Sequence, residues 1–298
     1  MKLVIQIPCY NEEKTLPITL QELPQKIKGI DEIEILVVDD GSTDKTADIA
    51  RKHGCTVLSL KHNSGLGVAF AEGLNKALER GADIIVNIDA DNQYCAKDMG
   101  KLVEPVLLEE ADIVIGARSL ANIKQWSATK RFLQVFGTLI VRFLSSCDIQ
   151  DATSGYRAFS KDAAGKLTLF EKFSHTQETI MQAKAKNLII KSVPIRINPD
   201  LRKSRLMKNI FYFSYRQGII IMKNFIKYRP FAFFISVGII FFILSLISYI
   251  SISKLSFILT LIFSISGLQA VLLAFFSLLI SHNRKMLDNI TNSRNKKD

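Results

Sequence analysis

Up to Arg118 the chain alternates short Val/Ile-rich runs with stretches whose apolar positions recur every three or four residues. The runs LVIQIP (3–8), IEILVVDD (33–40), TVLSL (56–60), DIIVNID (83–89) and DIVIGAR (112–118) predict strands. TLPITLQELPQKI (15–27), DKTADIARKHG (44–54), GLGVAFAEGLNKALERG (65–81) and KDMGKLVEPVLLEE (97–110) predict the helices between them, with Gly54 and Gly81 closing two of these. Strands this apolar, separated by helices, predict an α/β fold with a mostly parallel sheet covered on both faces.

The pattern then changes. ATKRFLQVFGTLIVRFLSS (128–146) and LMKNIFYFSYRQGIIIMKNFIKYRP (206–230) mix apolar and basic residues at helical spacing, as helices lying in a lipid headgroup layer do. The first fits a helix packed on the sheet equally well. Residues 231–250 and 255–280 are nearly free of charge, and each is long enough to cross a hydrocarbon core. Lys223, Lys227 and Arg229 precede the pair, Arg284 and Lys285 follow it, and SISK lies between. By the positive-inside rule both termini face the cytoplasm and the hairpin tip faces out. The expected order is therefore a globular domain over 1–205, an interfacial helix over 206–230, a transmembrane hairpin over 231–281 and a cytoplasmic tail over 282–298. MKLVIQIPCYNEE reads as a strand, its apolar run being too short for a signal peptide.

Composition sharpens this picture. The 298 residues are 48% hydrophobic and 22% charged, enough for a sizeable core, with a net charge of +11. From Arg196 onward fifteen Lys/Arg face three Asp/Glu, so the basicity belongs to the part with the membrane signals and the rest is close to neutral. That distribution argues for a membrane partner and against nucleic acid. Cys9, Cys55, Cys95 and Cys147 show no paired spacing for zinc or a disulfide framework.

In parallel sheets ligands bind beyond the carboxyl ends of the strands. There the sequence places PCYNE, DDGSTD, DADNQ and GAR. Asp44, before KTADIA, reads as a helix N-cap. Asp89 and Asp91 stand two apart and point to the same side of an extended chain. Carboxylates that close repel unless a cation lies between them, and a hard divalent ion, Mg²⁺ or Mn²⁺, shared with a diphosphate, answers that need. Gln93 offers a further oxygen. No P-loop is present, and Gly65 and Gly67 lack the third glycine of a dinucleotide fingerprint, Phe70 standing there. His53, His62, His175 and His282 are scattered and none is a candidate base; His175 reads as a satisfied structural histidine.

IPCYNEE, VVDDGSTDKT, NSGLGVAFAEG, DADNQ, IGAR and DATSGYRAFS, in this order, resemble the family 2 glycosyltransferases, and within them the dolichyl-phosphate mannose synthase branch, over roughly 1–206. The resemblance implies a GT-A (Rossmann-like) fold, a nucleotide-sugar donor of GDP-mannose or UDP-glucose type, a divalent metal and inversion at the anomeric carbon. It puts Pro8, Tyr10 and Glu12 beside the nucleoside, Asp39 on the base, and Asp40, Gly41 and Ser42 around the same pocket. Asp89 and Asp91, with Gln93, match the metal motif. Arg118 and Arg131 match acceptor-phosphate positions, and Arg202, Lys203 and Ser204 a loop over the donor diphosphate, although RKSRL departs from the family's usual glycine and S-K. Asp151, Ser154, Gly155 and Arg157 match a turn whose role is open between structure and function. The acceptor implied is a polyprenyl phosphate, dolichyl or undecaprenyl, which carries its own negative oxygen and needs no general base. Two alternatives stand beside this: a processive polysaccharide synthase, whose Q-x-x-R-W signature is absent at Gln125-Trp126, and a non-enzymatic membrane scaffold retaining the fold.

Overall fold

Along the first strand, β1 (Lys2–Cys9), Leu3, Ile5 and Ile7 enter one core while Val4 enters another. This period-two alternation puts apolar layers on both faces of the sheet. The computed structural model describes residues 1–119, 123, 126–169, 172, 175–199, 201, 210–250 and 254–294. The chain divides into two units, Met1–Ile221 and Met222–Asp298.

The first unit is built on a seven-stranded sheet, ordered β3-β2-β1-β4-β6-β5-β7. Besides β1 its strands are β2 (Glu32–Asp39), β3 (Thr56–Ser59), β4 (Ile84–Asn87), β5 (Ile113–Ala117), β6 (Arg157–Ser160) and β7 (Ile190–Pro194). All pairings are parallel except those of β6, which runs antiparallel between β4 and β5. One core holds α1 (Leu16–Glu22) and α4 (Met99–Leu107), through Leu16, Leu20, Leu102 and Val103. The opposite core holds α3 (Leu66–Glu79) and α7 (Thr176–Ala185), through Phe70, Leu74 and Ile180. The short α2 (Thr46–Lys52) and α6 (Lys161–Lys166) complete the layers.

The mostly parallel α/β sheet matches the pattern, with local differences. Helix α1 stops at Glu22 because Leu23, extended at φ −63° and ψ 139°, precedes Pro24. Strand β4 stops at Asn87, two residues early, where the Asn87 side chain takes over pairing: Nδ2 donates to the Gly155 carbonyl at 2.7 Å, and Oδ1 accepts from Gln6 Nε2 at 3.0 Å. Strands β6 and β7 have no counterpart in the pattern.

Helix α5 (Ala128–Ser145) is amphipathic in an inverted sense. Its buried stripe is Gln134, Thr138, Val141 and Ser145, largely polar, while Phe132 (66% exposed), Phe136, Leu139 and Phe143 (81% exposed) face outward. The inward stripe is satisfied by the 151–153 turn: Thr138 Oγ1 accepts from Ala152 N at 3.2 Å, and Gln134 Oε1 accepts from Thr153 Oγ1 at 2.8 Å. The helix packs on the fold and also keeps an apolar face outside. Helix α8 (Ile210–Tyr228) runs through the division between the units.

In the second unit α9 (Pro230–Ile250) and α10 (Lys254–Arg294) form an antiparallel pair. Phe231 meets Phe275 near one end of the pair, and the Ser245 hydroxyl meets the Ser264 hydroxyl at 2.8 Å further along. A Cβ on Gly238 would come to 3.2 Å from Val271, and one on Gly267 to 3.3 Å from Phe242, so small residues set the spacing. Pro230–Ile250 and Leu255–Ile280, of mean hydropathy 2.6 and 2.2, are long and apolar enough to cross a membrane, and only 11% and 17% of their most apolar stretches are buried. The core of a soluble protein would be mostly buried.

The core of the first unit holds one group that costs stability in acid. His175 is fully buried, stacked on Phe70 with ring centroids 3.7 Å apart, and among the described residues neither ring nitrogen has a hydrogen-bond partner. It is thus structural but not satisfied, contrary to the sequence expectation. Burial, and then the Arg157 charge, push its pKa well below the usual histidine value. The unfolded chain takes up that proton near pH 6.5 and the folded chain does not, so stability is complete above this value and is lost as pH falls below it. The urea midpoint in detergent should fall as pH drops from about 7 to about 5, and His175→Phe should flatten that slope.

Candidate active site

Three strand ends on the rim are tied to one another before any ligand is considered. After β1, Asn11 sits in the left-handed region at φ 54°, its N–H donating to Ser42 Oγ at 2.9 Å and its Oδ1 accepting from Thr43 N at 2.8 Å. Ser42 N in turn donates to Asp39 Oδ1 at 3.1 Å. Asp40 uses both carboxylate oxygens on the next loop, accepting from Ser64 N at 2.7 Å and Gly65 N at 2.9 Å. Gly41, at φ 69°, lies so close to the His62–Asn63 backbone that a Cβ would come within 2.6 Å. Asp44 does more than cap a helix: Oδ1 accepts from Thr46 N at 3.0 Å, and Oδ2 from Glu13 N at 3.2 Å. Asp39, Asp40, Gly41 and Ser42 therefore brace the rim.

A cleft of about 300 Å³ opens inside this frame. It brings together Pro8, Tyr10, Glu12, Asp40, Asp89 and Asp91 from the sequence-derived set. Asp39, Gly41, Ser42, Gln93, Arg118 and Arg131 do not line it, and Arg202, Lys203 and Ser204 lie outside the described residues. The cleft also contains Asn63 and Gly65, from the NSGLGVAFAEG motif but given no site role in the sequence reading, and Lys172, which that reading passed over. Lys172 is the only cation among the lining residues, and its carbonyl accepts from Gly67 N at 3.0 Å at the start of α3. Its sole sequence signal is its place just before the His175-Thr176-Gln177-Glu178 run.

Among the described residues, Asp89 is held by packing rather than by hydrogen bonds. Both its oxygens would lie 2.9 Å from a Cβ on Gly155, so it rests against bare backbone. Gly155 is fixed in turn, its N–H donating to Tyr94 Oη at 3.0 Å and its carbonyl accepting from Asn87. Burial first, then repulsion by Asp91, raise the Asp89 pKa well above the usual carboxylate range. Among the described residues no hydrogen-bond donor reaches the Asp89 carboxylate, and none form a group of three or more metal-ligating side chains. A divalent cation fits this arrangement: it would meet Asp89 and Asp91 together, with its remaining positions open to ligand oxygens and water. Asp91 Oδ1 is oriented by the Gln93 N–H at 3.2 Å. The Gln93 side-chain oxygen faces Arg118 Nη1 instead, at 3.5 Å.

The second half of the site lies around Arg118, at the end of β5. It is buried and forked onto Asp151, with Nε to Oδ2 at 2.7 Å and Nη2 to Oδ1 at 3.2 Å, and Nη2 also reaches Thr153 Oγ1 at 2.9 Å. Burial disfavours the Arg118 charge, but Asp151, with Tyr94 and Asp89, offsets this and the pKa rises. Two cations approach the Trp126 ring, Arg118 at 5.2 Å from its centre and Lys130 at 4.0 Å. Arg131 follows on the first turn of α5, half-buried. Beneath the turn, fully buried Arg157 donates to the carbonyls of Ser154 at 2.8 Å, Thr176 at 2.7 Å and Ala152 at 3.1 Å, and to Thr179 Oγ1. Arg157 is a strut. Gly155 belongs to the site itself.

Residues 4–168 match the family model for glycosyl transferase family 2. The chain is 34% identical over 176 residues to an undecaprenyl-phosphate mannosyltransferase of Micrococcus luteus, covering 57% of this chain and 70% of that protein. It is 31% identical over 212 residues to a UDP-N-acetylglucosamine–dolichyl-phosphate N-acetylglucosaminyltransferase of Methanococcus voltae, covering 64% and 83%. Among solved structures, glucosyl-3-phosphoglycerate synthase from Mycobacterium tuberculosis, crystallised with Mn²⁺, uridine diphosphate and glucosyl-3-phosphoglycerate, superposes with a TM-score of 0.58 at 20% identity, over 75% of this chain and 79% of that one. That likeness speaks for the fold.

The Asp89–Gly155 contact makes a direct prediction. Gly155→Ala should displace the carboxylate and lower transfer by about 10²-fold, as a misplacement near 1 Å does. Circular dichroism should remain that of the folded chain, and Gly100→Ala, where a Cβ meets nothing within 4 Å, serves as the control.

Proposed function

The chain belongs to glycosyl transferase family 2, and from that premise we propose that it transfers a hexose, with inversion, from a nucleotide sugar to a polyprenyl phosphate at the cytoplasmic face of a membrane. The observation that carries the acceptor is helix α5. Its inner stripe is tied through Thr153 to Arg118, its first turn holds Arg131, and its phenylalanines face outward. An outward apolar stripe beside buried and half-buried arginines suits a ligand with a lipid tail and an anionic head. The hairpin of α9 and α10 and the basic flanks around it support the same setting, with the catalytic unit and both termini on the cytoplasmic side.

The roles follow from charge. Pro8, Tyr10 and Glu12 border the nucleoside end of the cleft. Asp39, Asp40, Gly41 and Ser42 keep that end in shape. Asp89 and Asp91 would hold Mg²⁺ or Mn²⁺, and the ion when bound would supply positive charge where the nucleoside diphosphate departs. Arg118 and Arg131 offset the repulsion between acceptor phosphate and donor diphosphate and hold the acceptor in line, arginine's fork matching phosphate oxygens. The acceptor oxygen is already anionic at neutral pH, its second pKa being about 6, so no side chain must remove a proton. The buried, neutral His175 is unsuited to that task in any case. Arg202, Lys203 and Ser204 complete the donor side in this reading. The two relatives name different sugars, so the test spans both.

Membranes carrying the protein should label polyprenyl phosphate from one member of a panel of GDP- and UDP-sugars, and leave the corresponding free polyprenol unlabelled. Excess chelator should abolish the transfer and Mg²⁺ or Mn²⁺ restore it. Asp91→Asn should lose at least about 10²-fold, the scale of one transition-state electrostatic contact. Arg131→Ala should raise KM for the lipid phosphate more than for the nucleotide sugar. Comparable labelling of the free alcohol would overturn the assignment of the acceptor. For the topology, a cysteine replacing Ser253, which lies outside the described residues, should react with an impermeant reagent applied to intact cells. One replacing Asn292 should not.

A further inference from the structure

The turn between the two metal-facing positions and Tyr94 is held from outside the cleft by residues that no motif marks. Asn92 sits in the left-handed region at φ 57°. Asparagine tolerates that region better than most residues, but it still needs local support. Here the support is specific. Asn92 Nδ2 donates to Glu22 Oε1 at 3.2 Å, from the last residue of α1. Asn198 reaches the same carboxylate from the other side, Nδ2 to Glu22 Oε2 at 3.0 Å.

Asn198 also gathers three consecutive carbonyls of the turn. Its Nδ2 lies 3.1 Å from Asn92 O and 3.4 Å from Tyr94 O, and its backbone N–H donates to Gln93 O at 2.9 Å. Gln93 N–H then orients Asp91 Oδ1, so one hydrogen-bonded path runs from Asn198 through the Gln93 peptide groups to the Asp91 carboxylate. The strip that carries Asn198 is itself registered on the same loop. Tyr94 bridges Ile197, Cys95 N donates to Arg196 O at 3.2 Å, and Arg196 forks onto the buried Asp98 with Nη2 to Oδ1 at 2.8 Å. On the α1 side, Thr19 Oγ1 donates to Ala90 O at 3.0 Å.

We propose that Glu22 and Asn198 are positioning residues for the metal: a two-sided clamp that fixes the Asn92 turn and thereby the aim of Asp91. The inference rests on the reading of Asp89 and Asp91 as metal-binding and adds the residues that determine how well they bind. Hydrogen-bond partners behind a ligating group typically change metal affinity by roughly 10–100-fold when removed. The chemistry of the clamp is directional. Glu22 only accepts and the Asn198 amide only donates to it, so Asn198→Asp removes the donor and sets a second carboxylate against Glu22 and the carbonyl oxygens of Asn92 and Tyr94. Glu22→Gln leaves one acceptor where two donors converge. Combined, the amide introduced at position 22 can donate to the carboxylate introduced at 198, and part of the tie returns.

The experiment titrates Mn²⁺ into the full detergent-solubilised chain with GDP or UDP present, following free Mn²⁺ by electron paramagnetic resonance, with thermal unfolding measured in parallel. Asn198→Asp should weaken Mn²⁺ binding by roughly 10–100-fold, Asn198→Ala toward the lower end of that range, and the double variant should recover part of the loss. Should Asn198→Asp not fold, Asn198→Ala and Glu22→Gln carry the comparison. Residues that merely stabilised the fold would lower the melting midpoint and leave the Mn²⁺ titration unmoved. Affinities within twofold of the parent for both single variants overturn the clamp alone. A parent chain that binds no Mn²⁺ with either nucleotide overturns the metal reading and the clamp together.

Discussion

The contact on which the site depends is the Asp89 carboxylate resting on the bare backbone of Gly155. A side chain at that point would occupy the space of the acid, and a longer approach would leave it without the shape that faces Asp91. The contact exists because β6 runs antiparallel between two parallel strands and so delivers the turn before it to the same rim as their carboxyl ends. From that one turn Asp151 grips Arg118, Thr153 reaches Gln134 on α5, and Gly155 meets Asp89. Arg157, buried below, holds the turn by its carbonyls. The acidic and basic halves of the site are thus referenced to a single piece of backbone.

Much of this was legible in the sequence because burial on two faces demands a continuous apolar run. Strands β1, β2, β4 and β5 are such runs, and the polar clusters that follow them do lie on one rim. Strands β6 and β7 escaped because Arg157-Ala158-Phe159-Ser160 and Ile190-Lys191-Ser192-Val193-Pro194 lack both a run and an alternation; neighbouring strands, not their own composition, make them strands. The family's motifs marked candidate residues without showing how their side chains are placed. Asp40 and Asp44 read as ligand or cap residues and are found bonded to backbone N–H groups of neighbouring loops. Gln93 read as an oxygen for a metal and faces an arginine. Side-chain direction at a strand end depends on long-range partners, which spacing cannot encode.

The electrostatics also divide by depth. Acids at the bottom of the rim are neutralised locally: Asp40 by peptide N–H groups, Asp98 by Arg196 and Lys101, Asp151 by Arg118. Asp89 and Asp91 instead open together on the cleft, where burial and then the neighbouring Asp91 raise the Asp89 pKa. Buried pairs such as Arg118–Asp151 add little net stability over an apolar replacement, but breaking one strands a charge, so they serve to define geometry. In this chain that geometry is the placement of a guanidinium beside the root of an outward-facing apolar helix.

The chain has a single tryptophan, and the fold has placed it within reach of two cations at that root. An indole ring within cation–π reach of both Arg118 and Lys130 is sensitive to any rearrangement of either charge. With no other indole to dilute the signal, the emission of this protein comes from one address. The molecule therefore carries an intrinsic optical probe at the junction of its charged cleft and its apolar surface, readable without a label.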